Sequence, residues 1–256
     1  MSSSPVIIVT GASRGIGASI VEQLMAAPEQ PRVVGVSRSS AGLEALEKKY
    51  PERFTYVTGD VAKDSTSDAI ISRALEKFGR IDGVICNAGV LEPIAPVAKA
   101  SLEDWKKLYD INFFAPVSLS SKAIPELRKT HGRIVFVSSD ASTIFFNGWA
   151  AYGSSKAAIN HYAGSIAAEE KDIFAIAIAP GIVDTNMQNN IRDNFGEGMS
   201  SDEHKFFHEL HNTGKLLPPQ IPAAVVANLS LRGSGDINGK YLSYDAETLA
   251  SYQLQK

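Results

Sequence analysis

The chain has 256 residues, 44% of them hydrophobic and 21% charged, with a formal net charge of −3. That length can bury a full core without staples, and that charge leaves no electrostatic footprint for nucleic acid or an anionic membrane. A single cysteine, Cys86, excludes an internal disulfide framework, so a reducing compartment, the cytosol, is the expected location. The opening "MSSSPVIIVTGAS" shows no basic and apolar leader, and the tail "YQLQK" carries no sorting signal. No apolar run approaches the ~18 residues of a membrane span.

Strand-like and helix-like stretches alternate along the chain. Short, continuously apolar runs predict strands at 5–10, 32–37, 53–58, 81–86, 133–138, 173–179 and 239–244. Helices are predicted between them, at 15–27, 41–50, 66–79, 101–129, 151–170 and about 221–232. No linker, charge block or repeat divides the chain. The expectation is one α/β domain over residues 1–256, a doubly wound parallel sheet of about seven strands with helices on both faces. Only the polar segment around 186–220 breaks the rhythm; it reads as a substrate loop or lid, or as a surface excursion with a short helix.

The first strand runs into "TGASRGIG", Thr10 to Gly17, and then into an amphipathic helix. Gly11 allows the sharp turn, while Gly15 and Gly17 let backbone and helix approach closely enough for a pyrophosphate to rest on the helix N-terminus. A lone glycine triad is weak; its place between strand and helix strengthens it.

Further along, "VSSD" (137–140) ends the fifth predicted strand and "YGSSK" (152–156) opens the following helix. Residues four apart share a helix face, so Tyr152 and Lys156 project together. A nearby ammonium favours a phenolate and should draw the tyrosine down toward the working range of an acid-base group.

With "GDV" (59–61), "CNAGV" (86–90), "DINFF" (110–114) and "APGIVDT" (179–185), these motifs resemble the short-chain dehydrogenase/reductase family in order and over nearly the whole chain. The resemblance implies a Rossmann-type domain and an oxidoreductase using a nicotinamide dinucleotide. It implies a proton donor at Tyr152, a substrate-orienting hydroxyl at Ser139 and a lysine at 156 that holds the nicotinamide ribose. It also implies an asparagine, Asn112, that fixes a water against that lysine. Its cofactor contacts fall on Gly11, Ser13, Arg14, Gly15, Ile16 and Gly17 in the glycine loop, and on Asp60 and Val61 beside the adenine. They continue through Asn87, Ala88 and Gly89 to Pro180, Gly181, Val183 and Thr185 near the nicotinamide.

The second strand ends in "GVSRSS", with Ser37 and Arg38 where NAD enzymes commonly carry an acid. A guanidinium forks onto a phosphate, and Arg14 adds a second charge nearby, so NADP(H) is the expected cofactor. Cys86 reads as a small core residue, and Asp140 as a structural or substrate-facing acid. His204, His208 and His211 lack any accompanying metal motif, so no metal is expected.

Phe145, Phe146 and Trp149 lie between Ser139 and Tyr152. Glu92 follows the "NAGV" turn, and Met187, Phe206 and Phe207 come from the late insertion. Together they predict an aromatic-lined site suited to a hydrophobic ketone. Within the family, "LEPI", "LYDINFFAPVSL" and "APGIVDTNMQNNIR" look most like the sepiapterin-reductase-like branch, particularly fungal benzil-reductase-type proteins. That resemblance implies reduction of a vicinal diketone to an α-hydroxy ketone, and a homodimer, or a tetramer built from it. Two other readings stay open: an NAD(P)-linked alcohol dehydrogenase working oxidatively, and a nucleotide-sensing regulator without catalysis.

Overall fold

The computed structural model describes residues 4–254. Seven strands form one sheet: β1 (Val6–Thr10), β2 (Arg32–Ser37), β3 (Phe54–Thr58), β4 (Gly83–Cys86), β5 (Arg133–Val137), β6 (Phe174–Ala179) and β7 (Tyr241–Ser243). Their order is β3-β2-β1-β4-β5-β6-β7, and every pairing is parallel. The predicted strands all stand; the seventh shortens to three residues at the sheet edge, where only one neighbour pairs with it.

Nine α-helices accompany the sheet among the described residues: α1 (Gly15–Ala26), α2 (Ala41–Lys49), α3 (Asp64–Phe78), α4 (Leu102–Tyr109), α5 (Ala115–Thr130), α6 (Ala150–Glu169), α7 (Asn186–Asn194), α8 (Ser201–Asn212) and α9 (Gln220–Arg232). Side chains alternate across a strand, so each one feeds two cores. Ile7 and Val9 pack with Ile20 and Leu24 of α1, Leu43 of α2 and Val225 of α9. Val6 and Ile8 pack on the other face with Ile70 of α3, Leu119 of α5 and Ile159 of α6. Each such fully buried aliphatic side chain stabilises the fold by roughly 1.5–3 kcal/mol. Among the described residues no helix is long and apolar enough to cross a membrane.

Two expectations need correction. The single helix predicted over 101–129 is interrupted by a π-helical turn at Asp110–Phe114. The late insertion carries two helices rather than one short helix. The longer, α8, begins with a capping box in which Ser200 and Glu203 satisfy each other's backbone N–H groups. The insertion's two ends are pinned together, because Leu217 N–H donates to the Ile182 carbonyl and Asp184 N–H to the Leu217 carbonyl, each at 2.9 Å.

Chain progression reverses at β1. From there it runs outward to β2 and β3, then returns to β4 on β1's other side. Loops leaving the C-terminal ends of β1 and β4 must therefore diverge, and the crevice between them is where an open parallel sheet takes its ligand.

Candidate active site

A cleft of about 1240 Å³ opens at this reversal. It exceeds the roughly 300–1,000 Å³ typical of a single small-ligand pocket, leaving room for a dinucleotide together with a substrate. At one end, the glycine loop folds against the start of the β4 exit. Thr10 Oγ1 accepts from the backbone N–H groups of Asn87 (3.0 Å) and Ala88 (3.1 Å), and Asn87 Nδ2 donates to the Thr10 carbonyl at 2.9 Å. Gly11 has φ of +69°, and a Cβ there would lie 2.8 Å from Asn87 Nδ2. At Gly17 a Cβ would collide with the Gly11 carbonyl at 2.1 Å. Only glycine permits this closeness, and the helix N-terminus of α1, with no acid in its first turn, faces the space so created.

Every residue that the sequence assigns to the cofactor lines this cleft, from Gly11, Ser13 and Arg14 through Asp60 and Asn87 to Pro180 and Thr185. Ser13 and Ser37 share a hydroxyl hydrogen bond of 2.8 Å, which ties the glycine loop to the end of β2 beside Arg38. No carboxylate sits at the end of β2, where Ser37, Arg38, Ser39 and Ser40 follow one another.

Deeper in, Tyr152 and Lys156 are both buried on the first turns of α6. Lys156 Nζ donates to the Val137 carbonyl at 2.8 Å and lies 5.7 Å from the centre of the Tyr152 ring. Burial pushes Tyr152 up to about 12; the Ser139 hydroxyl works against this and the Asp140 carboxylate adds to it. Desolvation, not the ammonium expected from the sequence, sets the direction of the phenol's shift in this structure, and the ammonium's hydrogen bond goes to a backbone carbonyl. Burial also lowers Lys156 from 10.5 to about 8. Cys86, its neighbour, is pushed up to about 12 by burial, with the Lys156 charge working against that rise, and Cys86 in turn works against the lowering of Lys156.

The two serines separate cleanly. Ser139 faces Tyr152, whereas Ser138 donates to Asn160 Oδ1 at 2.6 Å, away from the phenol. Asn112 does not line the cleft. It sits behind the wall in the π turn, accepting from Val90 N–H at 2.9 Å and donating to the Val90 carbonyl at 2.8 Å and to Ser155 at 3.2 Å. This clamp answers the polar needs of a buried asparagine, and π turns of this kind recur at functional sites. Asn112 Oδ1 and Lys156 Nζ approach Gly89 from two sides, each 3.4 Å from where its Cβ would stand.

The substrate end is aromatic. Trp149 stacks on Phe207 with centroids 5.6 Å apart and planes 8° from parallel, Phe146 packs on both, and the Tyr152 ring meets Trp149 edge-on. Met187, Phe206 and Glu92 also line the cleft. Phe145 does not: it is 93% exposed, so that expectation fails, because adjacent loop residues diverge and Phe146 takes the inward place. Glu203 of α8 accepts from Asn147 N–H, holding the insertion over the loop that carries Trp149. His204 Nε2 bonds the Arg192 carbonyl, and among the described residues no three potential metal-ligating side chains converge.

A family model for short chain dehydrogenase matches residues 5–195. The chain belongs to the short-chain dehydrogenase/reductase family. It is 51% identical over 249 residues to an uncharacterized oxidoreductase of Saccharomyces cerevisiae, covering 96% of this chain and 98% of the relative. A crystal structure of a short-chain dehydrogenase/reductase from that yeast, 50% identical, superimposes with a TM-score of 0.96 over 98% of this chain and all of the other. A benzil reductase ((S)-benzoin forming) of the same yeast is 43% identical over 259 residues, covering 97% and 98% of the two chains. The protein is therefore an oxidoreductase of a family that works with NAD(P)(H), and its glycine loop, open helix N-terminus and long cleft fit such a group. When bound, the dinucleotide supplies or accepts a hydride.

Sequence reasoning passed over Thr10 as more than the edge of a motif, although it clamps Asn87 and Ala88. It also passed over Asn160, which lies four residues beyond Lys156 and so continues the Tyr152–Lys156 stripe on α6. A polar residue on the sheet-facing stripe of a helix was the available signal.

Proposed function

We propose that the protein is an NADPH-dependent carbonyl reductase, and that its substrates are activated hydrophobic ketones, with vicinal diketones such as benzil the leading class. The 43% identity to a benzil reductase is the observation that carries the substrate class. The stacked Trp149, Phe146 and Phe207 beside Tyr152 support it, since flat aromatic groups pair well with such a wall. Arg14 and Arg38 in the cleft, with no acid at the end of β2, support NADPH over NADH.

In this reading the glycine loop and α1 hold the pyrophosphate, and Arg38 and Ser37 hold the ribose phosphate. Lys156 grips the nicotinamide ribose. Ser139 donates to the substrate oxygen and orients it. As hydride reaches the carbonyl carbon, the C=O π pair moves onto oxygen, and the Tyr152 phenol gives that oxygen its proton. With a folded value near 12, Tyr152 is fully protonated across the neutral range, the state a proton donor needs. The aromatic wall keeps bulk water from the reacting carbon. A cytosolic homodimer completes the proposal.

The test is the initial rate of cofactor oxidation by purified protein offered benzil or 1-phenyl-1,2-propanedione, with NADPH and NADH compared. Turnover with NADPH at least about tenfold more efficient than with NADH, a difference of about 1.4 kcal/mol, is the expected result. NADPH binding without turnover of either diketone would remove the substrate class, and equal use of both cofactors would remove the NADP assignment.

A further inference from the structure

The aromatic wall continues well past the reacting phenol. From Tyr152 the rings run outward in contact: Trp149 lies 5.9 Å away, Phe207 stacks on Trp149 at 5.6 Å, and Phe206 meets Phe207 edge-on at 5.4 Å between centroids. Met187 and Phe195 pack against the same cluster and line the same cleft. Burial falls along this ladder. Tyr152, Trp149 and Phe207 are buried, whereas Phe206 is 43% exposed and Ile144, which also lines the cleft, is 53% exposed. The mechanism above uses only the inner end.

The outer end is held as firmly as the inner one. Glu203 accepts from Asn147 N–H at 3.1 and 3.2 Å and closes the capping box with Ser200. The first turn of α8 is therefore tied to the loop that carries Ile144, Phe146 and Trp149. Phe206 and Phe207 follow Glu203 by three and four residues, so they share its side of the helix. A wall fixed from two elements is preformed, and a ligand laid along it has little ordering left to do.

We propose that this ladder is a specificity groove for the apolar arm of the substrate beyond the reacting carbonyl. The preferred class is then aryl diketones with a long hydrophobic arm, and Phe206 and Ile144 set the length of arm that the protein favours. This inference rests on the reductase reading above and narrows its substrate class.

A substrate arm suits the rim better than a lipid surface does. Phe206 and Ile144 line the cleft itself, so whatever covers them is continuous with a group held at Tyr152. Helix α8 sets Asp202, Glu203 and Glu209 against a single lysine, Lys205, which gives no basic field for an anionic membrane. Half-exposed apolar atoms lose water when an arm covers them, and each methylene fully covered is worth about fourfold in binding.

The experiment measures kcat and KM with NADPH for 1-phenyl-1,2-diones of growing chain length, from the propanedione to the decanedione. It compares the wild type with Phe206→Ala, Ile144→Ser and Phe145→Ser. In the wild type kcat/KM should rise about two- to fourfold per methylene until the arm passes the rim. The gain should sit in KM, because covering the arm holds substrate and transition state alike. Phe206→Ala and Ile144→Ser should lower the long-chain end of the series about tenfold relative to the propanedione. Phe145→Ser, outside the cleft, should keep the wild-type slope. A flat wild-type series, or a slope unchanged in both rim variants, would overturn the proposal. So would a rim variant that sediments as a smaller species than the wild type, since the rim would then be a contact between copies. If the wild type turns over no dione, the reductase reading fails on its own. Isothermal titration of the same diones into the enzyme–NADP⁺ complex then reads the chain-length slope in Kd without any turnover.

Discussion

The two edges of the sheet handle buried polar groups in opposite ways. At the N-terminal edge Asp82 is as buried as the groups of the active site, yet its carboxylate is fully engaged. It accepts from Val6 N–H at 2.9 Å and from two nitrogens of Arg80, at 2.8 and 2.5 Å. Its charge also reaches Arg133, whose guanidinium is lowered by burial and partly recovered by that carboxylate. At the C-terminal edge Lys156 is buried and gives its hydrogen bond to a carbonyl, and Tyr152 is buried against Ser139 with the Asp140 charge acting on it. The first arrangement uses charge to join strands. The second leaves protonation states displaced from their ordinary values, a condition that costs stability and prepares chemistry.

The sharpest way to break this contrast is at Tyr152. Tyr152→Phe keeps the ring against Trp149 and removes only the transferable proton, so kcat for reduction should fall by about 10²–10⁴ while the melting temperature stays near wild type. Cofactor titration of the same variant should show binding intact. Loss of binding together with turnover would mean that the hydroxyl is part of the cleft's structure rather than its proton donor.

Lys156→Met should separate stability from activity in the opposite sense. The folded value of about 8 lies below the ordinary 10.5, so the unfolded chain holds this proton more tightly. The cost of burying the ammonium is therefore complete below pH 8 and fades as pH rises from 8 toward 10.5. At pH 7 the methionine variant should gain roughly 1–3 kcal/mol of stability while reduction falls at least about 10²-fold. In the wild type, reduction should decline as pH climbs through about 8 and the lysine loses its charge. A pH–rate profile flat from 6 to 10 would sink that assignment.

How much of this was legible in the sequence follows from where each cause lies. Continuous apolar runs placed all seven strands to within a residue or two, because a strand covered on both faces needs no partner to identify it. The glycine loop was legible because Gly11 and Gly17 meet atoms close by in the fold and tolerate no Cβ. The π turn was not, since what it serves is tertiary: Asn112 reaches Val90, 22 residues away, through both of its amide atoms. Spacing put Tyr152 beside Lys156 but carried no information on burial, which decides the protonation of both. Loop residues have no periodicity, so nothing chose Phe146 over Phe145. The capping box at Ser200–Glu203 was open to reading and would have announced α8.

The smallest effect belongs to the other edge, and it completes the contrast. Asp82→Asn preserves shape but leaves one acceptor where two charged oxygens stood, so Val6 N–H and Arg80 compete for it. Arg80, raised above its usual value by this carboxylate, and Arg133, partly buried, lose their shared counter-charge. A charge-assisted hydrogen bond of this kind is worth about 1.5–3 kcal/mol, so unfolding by urea should move to lower concentration by about 2 kcal/mol of stability with an unchanged slope. Because Asp82 lies at the end of the sheet remote from the cleft, kcat and the pH–rate profile should match wild type at temperatures well below the transition. A shifted pH profile in Asp82→Asn would mean that the two edges are coupled through β4, and that the division between structural and catalytic charge drawn along this sheet is wrong.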